Sequence, residues 1–396
     1  MQYRKGPGED QWSALGFGCM RFARSGGSID MAETEREILR AVEKGINYFD
    51  TAYIYPGSEE ALGTVLEKNS LREKVYVATK LPGYLIHSAA GIEKTFQEQC
   101  RRLRTDYIDN YLMHMLTDVE AWEKLREMGV EDWITEKKKS GAIRHIGFSF
   151  HGNTAMFLKI LDAYDWDFCQ IQYNYLDEVS QAGRKGLEAA QARGIPVVIM
   201  EPLRGGKLVS LLPETARKMI ETEGQGRSAA ELAFRWLWDQ PGVTCVLSGM
   251  NSLPMLEENI RVASEALPGC LSDGERNLIG KIRAEINSRL RVPCTGCGYC
   301  MPCPKGVDIP GAFRAYNRMA TENRWAGLQE YFQTVSLKKD PPFPSQCVGC
   351  GRCESHCPQH IPIIAELKKA DRTLRPWYVK AGLWISRKWL FARRKA

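Results

Sequence analysis

The 396-residue chain has no apolar run approaching the roughly 18 to 20 residues needed to span a bilayer. Its opening, Met1 to Asp10, is polar and lacks the apolar stretch of an export signal, so a cytoplasmic location is expected. No G-x-G-x-x-G follows a candidate strand, which excludes the usual dinucleotide-binding fingerprint. A basic body is missing as well. Residues 371–396 carry eight Lys or Arg against one Asp, a surplus of seven that exceeds the whole chain's +6 and leaves residues 1–370 at −1. A near-neutral body has no electrostatic footprint for nucleic acid. With 44% hydrophobic and 26% charged residues, disorder is excluded and a buried core is ensured.

Thirteen cysteines are present, and without an export signal they do not read as a disulfide framework. Five are scattered: Cys19, Cys100, Cys169, Cys245 and Cys270. The other eight form two runs, Cys294, Cys297, Cys300, Cys303 and Cys347, Cys350, Cys353, Cys357. This distribution divides the chain into a domain over 1–288, a cysteine domain over 289–372 and a basic aromatic tail over 373–396.

The first domain alternates short apolar β-type runs with amphipathic helical stretches. Eight strands are predicted, at Ala14–Cys19, Ile46–Asp50, Val75–Lys80, Tyr107–His114, Ile143–Ser149, Phe168–Asn174, Ile195–Met200 and Cys245–Ser248. Helices are predicted between them over 33–44, 90–103, 119–139, 181–193 and 228–238, the last capped by Ser228 with Glu231 three residues on. Eight β-then-α units are the pattern of a parallel (β/α)8 TIM barrel, whose functional residues stand at the strand carboxyl ends. Polar residues do stand there: Asp50, Lys80, His114, Ser149 and Gln170, with Tyr55 just beyond Asp50. A phenol titrates near about pH 10, so acid–base work at neutrality needs its phenolate stabilised. A neighbouring ammonium does that, and a carboxylate holds the ammonium.

The string Asp50-Thr51-Ala52-Tyr53-Ile54-Tyr55, with Ala78-Thr79-Lys80 and Leu112-Met113-His114, resembles the aldo-keto reductase family over about residues 10 to 265. The resemblance implies Tyr55 as general acid, Lys80 lowering its pKa, Asp50 paired with Lys80, and His114 binding the carbonyl. It also implies nicotinamide, NAD(P)H, across the barrel mouth, with Gly18 and Cys19 at the first strand's edge. Ser149 and Gln170 would bind its carboxamide, and Glu258 and Asn259 its adenine. Two departures stand out: Met200 replaces an aromatic that many members stack on nicotinamide, and Gly249, Met250 and Met255 stand where many carry bases for a 2′-phosphate. Tyr53 reads as packing, and Cys100, Cys169, Cys245 and Cys270 as small hydrophobes in helical or strand contexts.

In the second domain, Cys347-x2-Cys350-x2-Cys353-x3-Cys357-Pro358 is the bacterial ferredoxin run, in which the fourth cysteine ligates the other cluster. The first run, Cys294-x2-Cys297-x2-Cys300-x2-Cys303-Pro304, is one residue shorter before its last cysteine. Two [4Fe-4S] clusters are expected, one on Cys294, Cys297, Cys300 and Cys357, the other on Cys347, Cys350, Cys353 and Cys303. Two zinc sites are the alternative, although zinc favours paired C-x2-C knuckles. Helices are predicted over 309–321 and 325–335, an arrangement that resembles the helical dicluster domains of quinone-linked dehydrogenase subunits. The tail is expected to pack Trp377 and Trp384 onto the body with a solvated charged end; lying on an anionic membrane face is the alternative.

Together these features predict an oxidoreductase that reduces a small carbonyl, or oxidises an alcohol, and exchanges electrons with a redox carrier through its clusters. Two other readings remain open: reduction by cluster electrons without nicotinamide, and a non-catalytic barrel carrying a ferredoxin module.

Overall fold

A computed structural model describes residues 1–396 apart from 295, 297, 337–339, 358 and 393–396, and describes only the backbone of 385–392. It divides into two compact units, Met1–Ser210 with Ile220–Ile279, and Leu211–Met219 with Gly280–Ala396. Along the chain the division falls inside the helix Asp273–Asn287.

In the first unit all eight expected strands form. They are β1 (Leu15–Gly18), β2 (Tyr48–Asp50), β3 (Tyr76–Leu81), β4 (Ile108–Leu116), β5 (Ile143–Phe150), β6 (Phe168–Gln172), β7 (Val197–Met200) and β8 (Cys245–Ser248). Each pairs in parallel with the next, and β8 returns to β1 with Val246 opposite Leu15, closing the barrel. The register sets Gly18 beside Asp50, Lys80 beside Leu112 and Ser149 beside Gln170, so the polar residues share one end of the barrel.

Alternation places Tyr48, Ala78, Leu112, Phe168, Val198, Cys245 and Leu247 in the barrel interior. An antiparallel hairpin of Tyr3–Lys5 and Gln11–Ser13 precedes β1 and has no counterpart in the sequence reading. It brings the fully buried Trp12 edge-on to Tyr48 at 4.7 Å and to Phe168 at 5.5 Å. Both partners begin their strands, so Trp12 plugs the end opposite the polar mouth.

The helices follow the expected pattern with one correction. The stretch 119–139 is two helices, Val119–Glu127 and Val130–Ser140, because Gly129 takes φ +80° and starts the second one afresh. Ser228 caps Ala229–Trp238 by accepting from the Glu231 backbone N–H at 3.0 Å.

In the second unit the helices Ile309–Thr321, Arg324–Tyr331 and Ile363–Leu374 enclose a core of Val292, Val307, Phe313, Tyr331, Leu367 and Leu374. Gly327 permits the first two to close: a Cβ there would lie 2.6 Å from the Ala315 carbonyl oxygen. The tail continues as the helix Trp377–Ala392. Here the expected packing is overturned, for Trp377 is 80% and Trp384 62% exposed, whereas Val379 and Leu383 are buried. An i,i+4 aliphatic pair fills the inward face, and residues 377 and 384, seven apart, share the other. Among the described residues no helix is long and apolar enough to cross a membrane.

Candidate functional site

Asp50 ends β2, and Lys80 lies one strand over on β3. The Lys80 ammonium, 1% exposed, donates to both Asp50 carboxylate oxygens at 2.7 and 2.8 Å and to the Thr51 carbonyl at 2.6 Å. All three ammonium hydrogens are thus used. Gln170 donates to the same carboxylate at 3.0 Å.

The loop after β2 carries Tyr55 and is pinned at both ends. The Thr51 N–H donates to the Ala78 carbonyl at 2.8 Å, and the Thr51 and Ser58 hydroxyls meet at 2.8 Å while Ser58 donates to the Cys19 carbonyl. Tyr55 is half-buried, with its ring centroid 5.4 Å from the Lys80 nitrogen and 6.2 Å from the His114 ring. Asp50, Tyr55, Lys80 and His114 are therefore neighbours at one end of the barrel.

The electrostatics depart from the expected one. Burial raises the Tyr55 pKa above the ordinary phenol value, and the charges of Asp50 and Glu201 raise it further. The phenol therefore holds its proton. Burial, then the charge of Lys80 and then His151, lower the His114 pKa well below its ordinary value, so the imidazole is neutral. Among the described residues its Nδ1 has no hydrogen-bond partner.

A second layer supports these groups. Thr79 donates to the buried Glu59 at 2.6 Å, Gln99 donates to the Lys80 carbonyl at 3.1 Å, and Tyr111 donates to Gln99 at 2.7 Å. Arg102 pairs with Glu59 at 3.2 Å and covers the Tyr53 ring at 4.4 Å, so Tyr53 is a packing residue.

Of the residues assigned to nicotinamide, Gly18, Cys19, Ser149 and Gln170 lie at the same barrel end. The Ser149 hydroxyl accepts from the Met115 N–H at 2.9 Å, and the buried Cys19 donates to the Phe17 carbonyl at 3.6 Å. Asn259, on the helix Leu253–Ala263, donates to Ser248 at 3.1 Å, which ties that helix to β8; Glu258 is half-buried beside it. Met200 is half-buried against the barrel interior. Cys100, Cys169 and Cys245 are buried, as small hydrophobes are, but Cys270 sits half-buried in a loop rather than in a helix or strand.

In the second unit an open cavity of about 410 Å³ is lined by Cys300 and Cys303 from the first run together with Cys347, Cys350 and Cys353 from the second. Another, of about 330 Å³, is lined by Cys294, Cys300 and Cys357. Cys297 and Pro358 lie outside the described residues. Among the described residues no group of three or more Cys, His, Asp or Glu side chains is placed to hold a single metal ion. Each cavity thus draws cysteines from both runs, with Cys300 lining both, and thiols grouped in this way fit iron–sulfur clusters by ligand chemistry.

The family model for the aldo/keto reductase family matches residues 14–269, and the model for a 4Fe-4S dicluster domain matches residues 293–361. The chain belongs to the aldo/keto reductase family. It is an oxidoreductase that joins an aldo/keto reductase barrel to a 4Fe-4S ferredoxin-like domain. It is similar to the uncharacterized oxidoreductase YqkF of Bacillus subtilis (strain 168), 25% identical over 274 residues, covering 64% of this chain and 87% of that protein. It is also similar to the L-glyceraldehyde 3-phosphate reductase of Escherichia coli O157:H7, 26% identical over 313 residues, covering 64% and 88%. Among solved structures, the holo form of aldo-keto reductase AKR11C1 from Bacillus halodurans superposes with a TM-score of 0.59 at 27% identity, over 71% of this chain and 96% of that one.

At the mouth of the aldo/keto reductase barrel stand two groups that the sequence reading missed. Arg21, just past β1, lies across Gly249 and reaches toward Gly205: Cβ atoms at these glycines would come within 2.9 Å of its Cδ and 2.7 Å of its Nη2. Residues 248–255 carry no base, whereas Arg21 arrives from the neighbouring strand. Asp177 is the other. It accepts from Arg204 Nε at 2.9 Å, Asn174 at 2.8 Å and Gln172 at 3.1 Å. This network fixes the loop after β7, where Glu201 (φ +52°) and Arg204 (φ +47°) adopt left-handed backbone that non-glycine residues seldom take.

Proposed function

We propose that the barrel reduces a carbonyl, or oxidises the corresponding alcohol, with Tyr55 as the acid and with two [4Fe-4S] clusters in the same chain that exchange electrons with a one-electron carrier. Nicotinamide, when bound, supplies or accepts a hydride, and the clusters pass single electrons. The observation that carries the reading is the Asp50–Lys80 pair set beneath the Tyr55 ring with neutral His114 beside it.

Each residue has a separate task. Tyr55, whose proton is firmly held, gives that proton to the substrate oxygen as negative charge develops there. His114, being neutral, donates one hydrogen bond to the same oxygen without adding charge. Asp50 fixes the Lys80 ammonium, and Gln170 fixes Asp50. Ser149 and Gln170 would hold the carboxamide of nicotinamide, Asn259 and Glu258 its adenine, and Arg21 the phosphates that NAD and NADP share. Since Gly249, Met250 and Met255 supply no base for a 2′-phosphate, discrimination between the two cofactors should be weak. Cys294, Cys297, Cys300 and Cys357 would hold one cluster, and Cys303, Cys347, Cys350 and Cys353 the other.

The test is an anaerobic titration with NADH and with NADPH, followed by hydride-transfer assays on a panel of small aldehydes and ketones. Binding of both cofactors and turnover of some carbonyls is the expected outcome. Absence of nicotinamide binding would overturn the reading.

A further inference from the structure

The cavity lined by Cys303, Cys347, Cys350 and Cys353, with Cys300 shared with its neighbour, differs from that neighbour in its rim. Lys305 and Arg352 line it too; both are exposed, and among the described residues neither has an ion-pair partner. Val348, between two of the cysteines, is 62% exposed, and Cys350 is itself exposed. The acids closest to this rim in sequence are half-buried and each accepts from a backbone N–H, Asp308 from Gly311 at 3.0 Å and Glu354 from Ile364 at 2.8 Å. By contrast, no charged residue is among those lining the cavity of Cys294, Cys300 and Cys357.

We propose that Lys305, Arg352 and Val348 form the docking face for an acidic one-electron carrier protein, centred on the exposed Cys350. This inference rests on the cluster reading above. Its physical basis is that two unmatched cations beside an exposed apolar residue make a small face that attracts a negatively charged surface and then excludes water from the contact. Electron-transfer encounters are small and electrostatically steered, so a patch of this size is sufficient. The same cations favour the reduced, more negative state of a cluster held by these four thiolates. Charge complementarity commits the partner to the acidic class; a basic carrier would be repelled.

The probe is an acidic two-cluster bacterial ferredoxin, titrated calorimetrically into the anaerobically loaded full-length chain at low and high salt, with a basic cytochrome c as the charge control. Ferredoxin is expected to bind at low salt and to weaken by about tenfold or more at high salt, because screening shortens the reach of surface charges. Lys305→Glu with Arg352→Glu should abolish that binding and shift one cluster's potential to more negative values, with iron content unchanged. Val348→Ser should weaken binding without altering its salt dependence. Salt-insensitive binding, wild-type affinity in the double variant, no ferredoxin binding by loaded chains, or tighter binding of the cytochrome would each overturn the docking face alone. Chains that take up no iron and sulfide would overturn the cluster reading and the docking face with it.

Discussion

At the scale of single residues, the barrel mouth is governed by the burial of an ion pair. Lys80 and Asp50 are 1% and 5% exposed and satisfy each other. Removing one partner leaves a buried charge, so Lys80→Met should cost about 3–5 kcal/mol in chemical denaturation. Asp50→Asn combined with Lys80→Met should cost less than the sum of the single changes. Additive losses would mean that the pair is not coupled. Arg21→Ala touches no part of this pair and should weaken NADH and NADPH to a similar extent, by roughly 1.5–3 kcal/mol for a lost charged contact, read by fluorescence titration. The tetrad was legible in the sequence because Asp50, Lys80 and His114 are distinctive types in the strands and Tyr55 follows Asp50 in the next loop. Arg21 was not, since its proximity to Gly249 depends on barrel closure between β8 and β1. The protonated state of Tyr55 was also hidden: the sequence offers an ammonium nearby, but not the burial that raises the phenol's pKa.

At the scale of elements, all eight barrel strands were legible because apolar β-type runs alternate with helical periodicity over the whole domain. The break at Gly129 was overlooked because the apolar spacing continues through it. The Trp12 hairpin was missed because its short strands sit in a polar opening segment. One element holds an unusual group. Glu37, on the helix Met31–Glu43, is buried, and among the described residues neither of its carboxylate oxygens has a hydrogen-bond partner. Burial pushes its pKa up to about 7 from the usual carboxylate range. Between those values the folded state keeps a proton that the unfolded state has released, so stability falls as pH rises through this window and stays lower above it. Glu37→Gln should therefore stabilise the barrel at pH 8, by at most about 3 kcal/mol, and have little effect at pH 4. Thermal midpoints at the two pH values check this; an equal effect at both would contradict it.

At the scale of the whole molecule, the two cysteine runs were readable as a ferredoxin-type pattern, and each cavity is lined by cysteines of both runs. Anaerobically purified protein should contain about eight iron and eight sulfide per chain. Cys303→Ala should chiefly disturb the cluster of the second run, and Cys357→Ala that of the first, as followed by electron paramagnetic resonance. Damage confined to the mutated run's own cluster would exclude the exchange. The tail was misread because a helix apolar around most of its circumference gives no sequence signal for which side turns inward, and here Val379 and Leu383 do.

Whether the barrel is catalytic is tested most directly by Tyr55→Phe, which keeps the ring and removes only the hydroxyl that carries the proton. Carbonyl reduction by the variant should be compared anaerobically with the wild type, using a substrate turned over by the latter and preparations of equal iron content. The account predicts unchanged folding and cluster content with turnover lower by about 10²- to 10⁴-fold, the usual worth of a general acid. Full activity in Tyr55→Phe would contradict it and leave the barrel as a scaffold for the iron–sulfur domain.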